Sequence, residues 1–505
     1  MSSFISGDTP LPHFHPRTDS GSNRLNRTDR SPTAIRPIPP PTLTKSIDSF
    51  TFTVQPEVSS RAKEHANLQF AGTLPLMRRV ILIASLSLLA VACTGWSTQA
   101  NSAADPTAPT IPAPVPSTTV AAPTTTSTSS TTIPPIEVSG TVTDANGAPL
   151  AGVTITSDQE SAATGADGKF HVTAVDPAIT FTKPAWLPLS VAWTAVDETE
   201  VMLEPRIVKA VRVVRYTYLE LDGLEGTLEL IKDTSVNAIV FDTKDEVGTT
   251  LYLTSVPLAI EMGAVEDFYD PVATLETVHA ADLYAITRIV TFEDPIWTKA
   301  HPEAKLAGKW IDPRNPDNWE YPLALAIEAC ELGFDEIQFD YVRFPAGSTA
   351  EAAPPTTQQE RLTAIAGFLA EARSRLHPLG CAVSADIFGI TTSSPTDEGI
   401  GQRPDELSMA VDVLSPMVYP SHYSPGWLGF SDPKDHPGPV TADALDGAMP
   451  RMAPGSILRP WLQAFYYNSG QVRAAIDEAE SRGLGWILWN AVGNYNKEAL
   501  APAEK

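Results

Sequence analysis

The feature that most constrains this chain is an alternation. From Lys209 onward, short apolar runs alternate with stretches of helical character. A strand covered on both faces reads as a continuous apolar run, and the helix that follows it supplies the cover. The alternation therefore predicts βα units around a parallel sheet. Eight strands can be placed: Ala210–Tyr216, Ala238–Asp242, Tyr284–Thr291, Glu336–Asp340, Ala382–Ile387, Val413–Val418, Leu458–Gln463 and Trp486–Asn490. Helices are expected between them at Pro322–Leu332, Gln358–Leu376 and Gly470–Arg482. Roughly 300 residues for eight strands suit a (β/α)₈ barrel with some loop insertions. A doubly wound open sheet is the rival, but no glycine-rich phosphate turn follows the first strand. The expected fold is α/β, a (β/α)₈ barrel over residues 206–505.

The sequence ahead of the barrel differs in character. Residues 136–205 carry VSGTVTDANGAPLAGVTITSD and ATGADGKFHVTAV, short alternating strands separated by turns at Asn146-Gly147 and Asp167-Gly168. That pattern reads as a small all-β sandwich. Residues 94–135 are a Thr/Ser/Pro-rich tract that cannot bury a core and serves as a linker. Residues 77–93, MRRVILIASLSLLAVAC, have the charged start, apolar run and small-residue site of an export signal. The apolar run is too short for an ordinary membrane span of about 20 residues. Ala90-Val91-Ala92-Cys93 resembles a bacterial lipobox, with Ala90 where Leu is commoner, so Cys93 is the expected lipidation site. An export signal works at a chain start. Met77 is therefore read as the true beginning, and residues 1–76 as an over-extended, disordered stretch. The alternative is a cytoplasmic tail before a membrane anchor.

The formal net charge of −25 argues against nucleic acid, which needs clustered Lys and Arg. The three cysteines, Cys93, Cys330 and Cys381, form neither a disulfide framework nor a zinc-ligand spacing. Cys330 and Cys381 are expected as buried thiols, although an exported chain could pair them. No cofactor is expected, no metal-binding motif is present, and a monomer is expected.

Polar residues collect at one end of the strands. They are Asp242 and Lys244 after the second, Glu293 after the third and Asp340 with Arg343 after the fourth. Asp386 closes the fifth, Tyr419, His422 and Tyr423 follow the sixth, Gln463 closes the seventh and Trp489 the eighth. In a (β/α)₈ barrel the C-terminal strand ends carry the active site. Carboxylates with aromatics suit sugars, because ring faces stack on pyranoses and carboxylates bond hydroxyls. Cleavage of a glycosidic bond needs one carboxyl to protonate the leaving oxygen and a second as nucleophile or base. Strands four and five are adjacent, so Asp340 and Asp386 are the expected catalytic pair, with Glu293 as substitute. Asp242, Lys244, Arg343, Tyr419, His422, Tyr423, Gln463 and Trp489 are the expected substrate contacts. Plainer readings stand beside these. Asp340 could pair with Arg343, Asp242 with Lys244, and Asp386 could cap a turn. A barrel that binds surface glycan without cutting it is the alternative to an enzyme.

Two family resemblances add to this reading. The run G-x-V-x-D-x-x-G-x-P-L-x-G-V-x-I followed by T-x-x-D-G-x-F, over residues 136–205, resembles the carboxypeptidase-regulatory-like β-sandwich, an extracellular accessory module. VFDTKDEVG at 240–248, RIVTFEDP at 288–295, GFDEIQFDYVRFP at 333–345, SADIFG at 384–389, DVLSPMVYPSHY at 412–423, RPWLQAF at 459–465 and LWNAVGNY at 488–495 resemble a second family. It is catalogued as "putative glycosyl hydrolase domain", and the likeness covers the whole barrel. It implies a (β/α)₈ fold and hydrolysis of a polysaccharide or oligosaccharide, with Asp340 and Asp386 at the positions of two of its motif aspartates.

Overall fold

The computed structural model describes residues 135–193 and 199–502. The segments 1–76 and 77–93, including Cys93, and the linker through residue 134 lie outside the described residues.

Seven strands come first: β1 (Ile136–Thr143), β2 (Thr154–Thr156), β3 (Ser161–Ala163), β4 (Lys169–Ala174), β5 (Ala178–Thr182), β6 (Leu189–Ala192) and β7 (Thr199–Met202). They form two sheets, ordered β4-β1-β7 and β3-β2-β5-β6. Alternate residues of both sheets share one core, with Val138 and Val142 from β1, Val172 from β4, Ile155 from β2 and Phe181 from β5. Asp144 shapes the first turn by accepting from the amides of Asn146 and Ala148 at 2.9 and 2.8 Å. Gly168 closes the second at φ +72°, where a Cβ would stand 2.5 Å from the Val142 carbonyl oxygen. Only glycine fits there.

The remaining chain closes a barrel. Its strands are β8 (Lys209–Arg212), β9 (Ala238–Lys244), β10 (Tyr284–Val290), β13 (Glu336–Asp340), β14 (Ala382–Phe388), β15 (Val413–Val418), a seventh in two pieces, β16 (Ile457–Leu458) and β17 (Trp461–Gln463), and β18 (Trp486–Trp489). A short hairpin, β11 (Lys305–Ala307) with β12 (Trp310–Ile311), is inserted after β10. Every barrel pairing is parallel, and β18 on β8 joins the last strand to the first. All seven residues of β9 and all five of β13 are buried, as strands covered on both faces must be.

Two apolar layers build this part. Ala210, Ala238, Val240, Ile286, Trp461 and Ile487 cluster within the barrel. Outward-facing residues such as Ile239, Ile289, Phe339 and Leu414 pack with the helices. The helix Gln358–Leu376 shows why the cover forms. Thr357 and Glu360 cap its start reciprocally, through bonds of 3.2 and 2.7 Å to each other's amides. Leu362, Ile365, Phe368, Leu369, Ala372 and Leu376 are buried at helical spacing. The helix runs into a short 3₁₀ turn containing Pro378.

Three expectations are corrected. The first barrel strand stops at Arg212, and Arg215 and Tyr216, expected as its end, open the helix Arg215–Glu220. The Thr217 hydroxyl accepts from the Val214 amide at 3.1 Å and turns the chain there. The seventh strand breaks between Leu458 and Trp461, where Pro460 has no N–H to donate. Cys330 and Cys381 are a disulfide rather than two thiols, with Cα atoms 6.0 Å apart.

Candidate active site

Charged residues enter the barrel mouth from four neighbouring strands. Arg288 of β10 lies in register with Asp242 of β9, and Asp340 ends β13 opposite Val290. Within this frame the Arg288 guanidinium joins three carboxylates. Its Nε and Nη2 donate to Asp340 Oδ2 at 2.9 and 2.7 Å, its Nη1 to Asp242 Oδ1 at 3.2 Å, and its Nη2 to Glu246 at 2.6 Å. Arg212 of β8 grips Asp242 from the other side, with Nε donating to Oδ1 at 3.1 Å. Burial opposes the charge on Arg288, but Glu246, Asp340 and Asp242 outweigh it and hold the pKa well above the ordinary arginine value. The Glu246 side chain is 39% exposed, and although partial desolvation opposes its ionisation, Arg288 and Arg212 draw its pKa down to about 2. Buried charges of this kind persist only when each finds its counter-charge.

Asp340 is 5% exposed and acts as an acceptor in all its bonds, the third coming from the Tyr341 amide at 2.6 Å. Tyr341 itself has φ +51°, a conformation costly for a bulky residue, and it turns the loop directly after the carboxyl. Asp386 of β14 is the next residue after the Phe339–Ala385 pair in the ladder with β13. It is 1% exposed. Its Oδ1 accepts from Trp461 Nε1 at 2.8 Å, and its buried Oδ2 has no partner. Burial, and next the charge of Asp340, push the Asp386 pKa well above the carboxylate range. The site thus holds two neighbouring carboxyls in contrasting environments, one pinned by arginine and one favoured as the neutral acid.

Aromatic rings surround the pair. Trp489 lies over Arg212 with Cζ 4.1 Å from the ring centre, and over Arg288 at 5.4 Å. Tyr419 packs beside Trp489, Phe465 and His422. Burial, then Asp340 and Asp386, push its phenol pKa well above the usual value. Burial lowers the pKa of His422, which favours the neutral ring.

Other expected contacts are placed differently. Lys244 is fully buried on Asp294 at 2.7 Å, so it meets neither Asp242 nor a substrate. Gly248 permits this arrangement at φ +86°, since a Cβ there would come within 2.6 Å of Asp294. Asp242 is spent on the two arginines. Gln463 uses its amide between the Ser421 N–H and the Phe465 carbonyl, each at 3.1 Å, tying two rim loops together. Tyr423 turns to the helix side, packing with Val418, Val440 and Ala444. Glu293 is held by Lys309, and Asp340 pairs with Arg288 rather than Arg343.

Arg212, Arg288 and Glu246 are absent from the expected set, and two of them left a signal. VRVV at 211–214 and AITRIV at 285–290 each place one arginine inside a run that is otherwise uncharged and is buried throughout. Such a residue must meet a carboxylate within the barrel. Glu246 lies in a loop and carries no such mark. A cavity of about 640 Å³ lined by Leu253, Asp267, Tyr269, Asp270 and Glu328 contains none of these residues. Among the described residues no group of three or more His, Cys, Asp or Glu side chains is arranged to hold a metal ion.

Residues 211–495 match the profile of the family described as "Putative glycosyl hydrolase domain". Comparison with curated proteins returned no match. Among solved structures, a hypothetical protein from Ruminiclostridium thermocellum is 34% identical over 35% of this chain and 96% of its own, with a TM-score of 0.32. The PgaB (BpsB) glycoside hydrolase domain from Bordetella bronchiseptica is 11% identical over 57% of this chain and 95% of its own, with a TM-score of 0.41. A chitinase from Chromobacterium violaceum is 13% identical over 58% and 96%, with a TM-score of 0.36.

Proposed function

The chain belongs to the glycosyl hydrolase-type family whose profile it matches over residues 211–495, and from that premise we propose that it is an exported glycoside hydrolase acting on a polysaccharide. Asp386 is the proton donor. Its unpartnered Oδ2 would carry the proton to the glycosidic oxygen as the C–O bond breaks. Asp340 is the second carboxylate, attacking the anomeric carbon or taking a proton from the water that does so. Arg288 is a positioning residue that fixes Asp340, and Arg212 fixes Asp242 behind it. Trp489 and Tyr419 supply ring surface for the sugar. The observation that carries the reading is the contrast within one pair: Asp386 buried with a raised pKa and a free oxygen, beside Asp340 held by arginine. A carboxyl whose surroundings favour its neutral form is how a site keeps a proton donor at working pH.

Export belongs to the same proposal, with residues 77–93 as signal and Cys93 as lipid attachment point. The Cys330–Cys381 bridge supports it, because disulfides persist in oxidising compartments. The two-sheet β unit is read as a carboxypeptidase-regulatory-like accessory module that spaces the barrel from its anchor. Replacing Cys93 with Ser should release the protein from the membrane fraction into the medium.

The catalytic test is release of reducing ends from a panel of wall, capsule and storage glycans. Asp386→Asn and Asp340→Asn should each lower the rate by roughly 10²- to 10⁴-fold while glycan binding is kept. The near-complete burial of the two carboxyls, 5% and 1% exposed, favours a second reading, a barrel that binds glycan without cutting it. A wild-type protein that binds but releases no ends from any panel member would establish that reading instead.

A further inference from the structure

Four arginines are buried among the described residues, and three of them meet a carboxylate. Arg212 and Arg288 hold Asp242 and Asp340, and Arg459 holds Glu336. Arg343 is the exception. It is 8% exposed, yet the acids nearest in charge are engaged elsewhere, Glu293 by Lys309 and Asp340 by Arg288. Its Nη1 donates to the Phe344 carbonyl at 2.9 Å. Trp310, Phe388 and Tyr341 ring centres lie 4.3, 4.5 and 5.3 Å from its Cζ. Stacking of this kind engages the guanidinium faces. The Nε–Nη2 edge makes no hydrogen bond to a described residue. That edge is the fork that takes a carboxylate through two parallel bonds.

Arginine does not escape its charge by losing a proton in a protein. A nearly buried guanidinium without a counter-ion is costly, and stacking offsets only part of the cost. Arg343 follows Asp340 by three residues, and the Phe388 ring on which it stacks follows Asp386 by two, which places it near the proposed catalytic pair. The whole chain carries a formal −25 and repels polyanions at long range, so an acidic substrate would have to be recognised by a fixed local cation.

We propose that Arg343 seats a carboxylate of the substrate, and that the polysaccharide cut contains uronic acid. This rests on the glycoside hydrolase reading above. The test compares polygalacturonate, alginate and hyaluronan with the carboxyl-reduced form of each, using the full chain, by reducing-end release and by affinity electrophoresis. At least one polyuronate should be preferred over its reduced form by roughly 10- to 100-fold in kcat/KM, the worth of one charge-assisted pair. Arg343→Gln should erase that difference chiefly through KM, and Arg343→Lys should restore part of it. A variant that weakens both forms in parallel and keeps the difference would make Arg343 structural and overturn the proposal. Equal treatment of both forms by the wild type overturns it too, while leaving a glycosidase. Carboxyl-dependent binding that is lost in Arg343→Gln, without cleavage of any polymer, upholds the carboxylate site and removes the hydrolase reading.

Discussion

At the scale of single residues the site is governed by where charges find partners. Asp386 binds its proton more tightly in the folded chain than an unfolded aspartate does, whose pKa is about 3.9. As pH rises past that value, the unfolded chain ionises at this position while the folded one stays neutral. Stability therefore falls with pH across the window from the unfolded to the raised folded pKa, then levels off. Asp386→Asn removes that slope. Thermal denaturation at neutral pH should show the variant at least as stable as the wild type, although its activity is lost. A variant several degrees less stable, with no change in pH slope, would contradict the burial account. In the wild type, activity should fall as pH rises through the same raised pKa, since the donor is then spent. Arg288 behaves oppositely. Removing it as Arg288→Met strands Asp340 without a counter-charge, while Asp242 keeps Arg212, and should cost about 3–5 kcal/mol in urea denaturation. Arg288→Lys should recover little, because an ammonium cannot span three carboxylates with a planar fork.

At the scale of elements, the barrel cover depends on a few rings. Phe368 on the helix Gln358–Leu376 meets Phe292, Phe339 and Trp319 with centroids 5.1, 5.0 and 6.0 Å apart. Phe368→Ala should destabilise by about 3–5 kcal/mol through lost burial and the cavity left behind. Loss of the Thr357 cap should cost only about 1 kcal/mol. This helix was legible to the residue in the sequence, because cap, periodicity and stop coincide at Gln358–Leu376. Arg215–Glu220 was not. VRVVRY, read as the rest of the strand Ala210–Tyr216, carries no turn residue, and only the fold decides that the strand ends at Arg212. The hairpin β11–β12 was also missed, yet it brings Trp310 against Arg343.

At the scale of the whole molecule, the Cys330–Cys381 bridge links the helix Glu320–Leu332 to the approach to β14 across 51 residues. A loop of that length corresponds to roughly 4 kcal/mol of lost unfolded-state entropy. Cys330→Ala with Cys381→Ala should lower the urea midpoint accordingly, and a reducing gel should abolish the mobility difference between the two proteins. An unchanged midpoint would mean the bridge contributes nothing to stability.

Sequence alone determined the architecture of the barrel, because strand and helix periodicities are local and each of the eight strands carries its own. It also placed Asp340 and Asp386 at adjacent strand ends, since strand order follows from parallel βα connections. Tertiary structure alone decided who pairs with whom. Arg288 and Asp340 are 52 residues apart, Lys244 and Asp294 are 50, and Arg212 and Asp242 are 30. Strand order brings such residues into one neighbourhood, but a hydrogen bond is chosen at a precision of tenths of an ångström. That choice depends on bulges such as the one between Arg288 and Ile289, and on loop turns such as that at Tyr341. For the same reason Lys244 and Asp242, two residues apart and both near the rim, serve different partners. Arg343, expected as a substrate contact with pairing to Asp340 as the plainer reading, stands without an acidic partner because the fold gives Asp340 to Arg288.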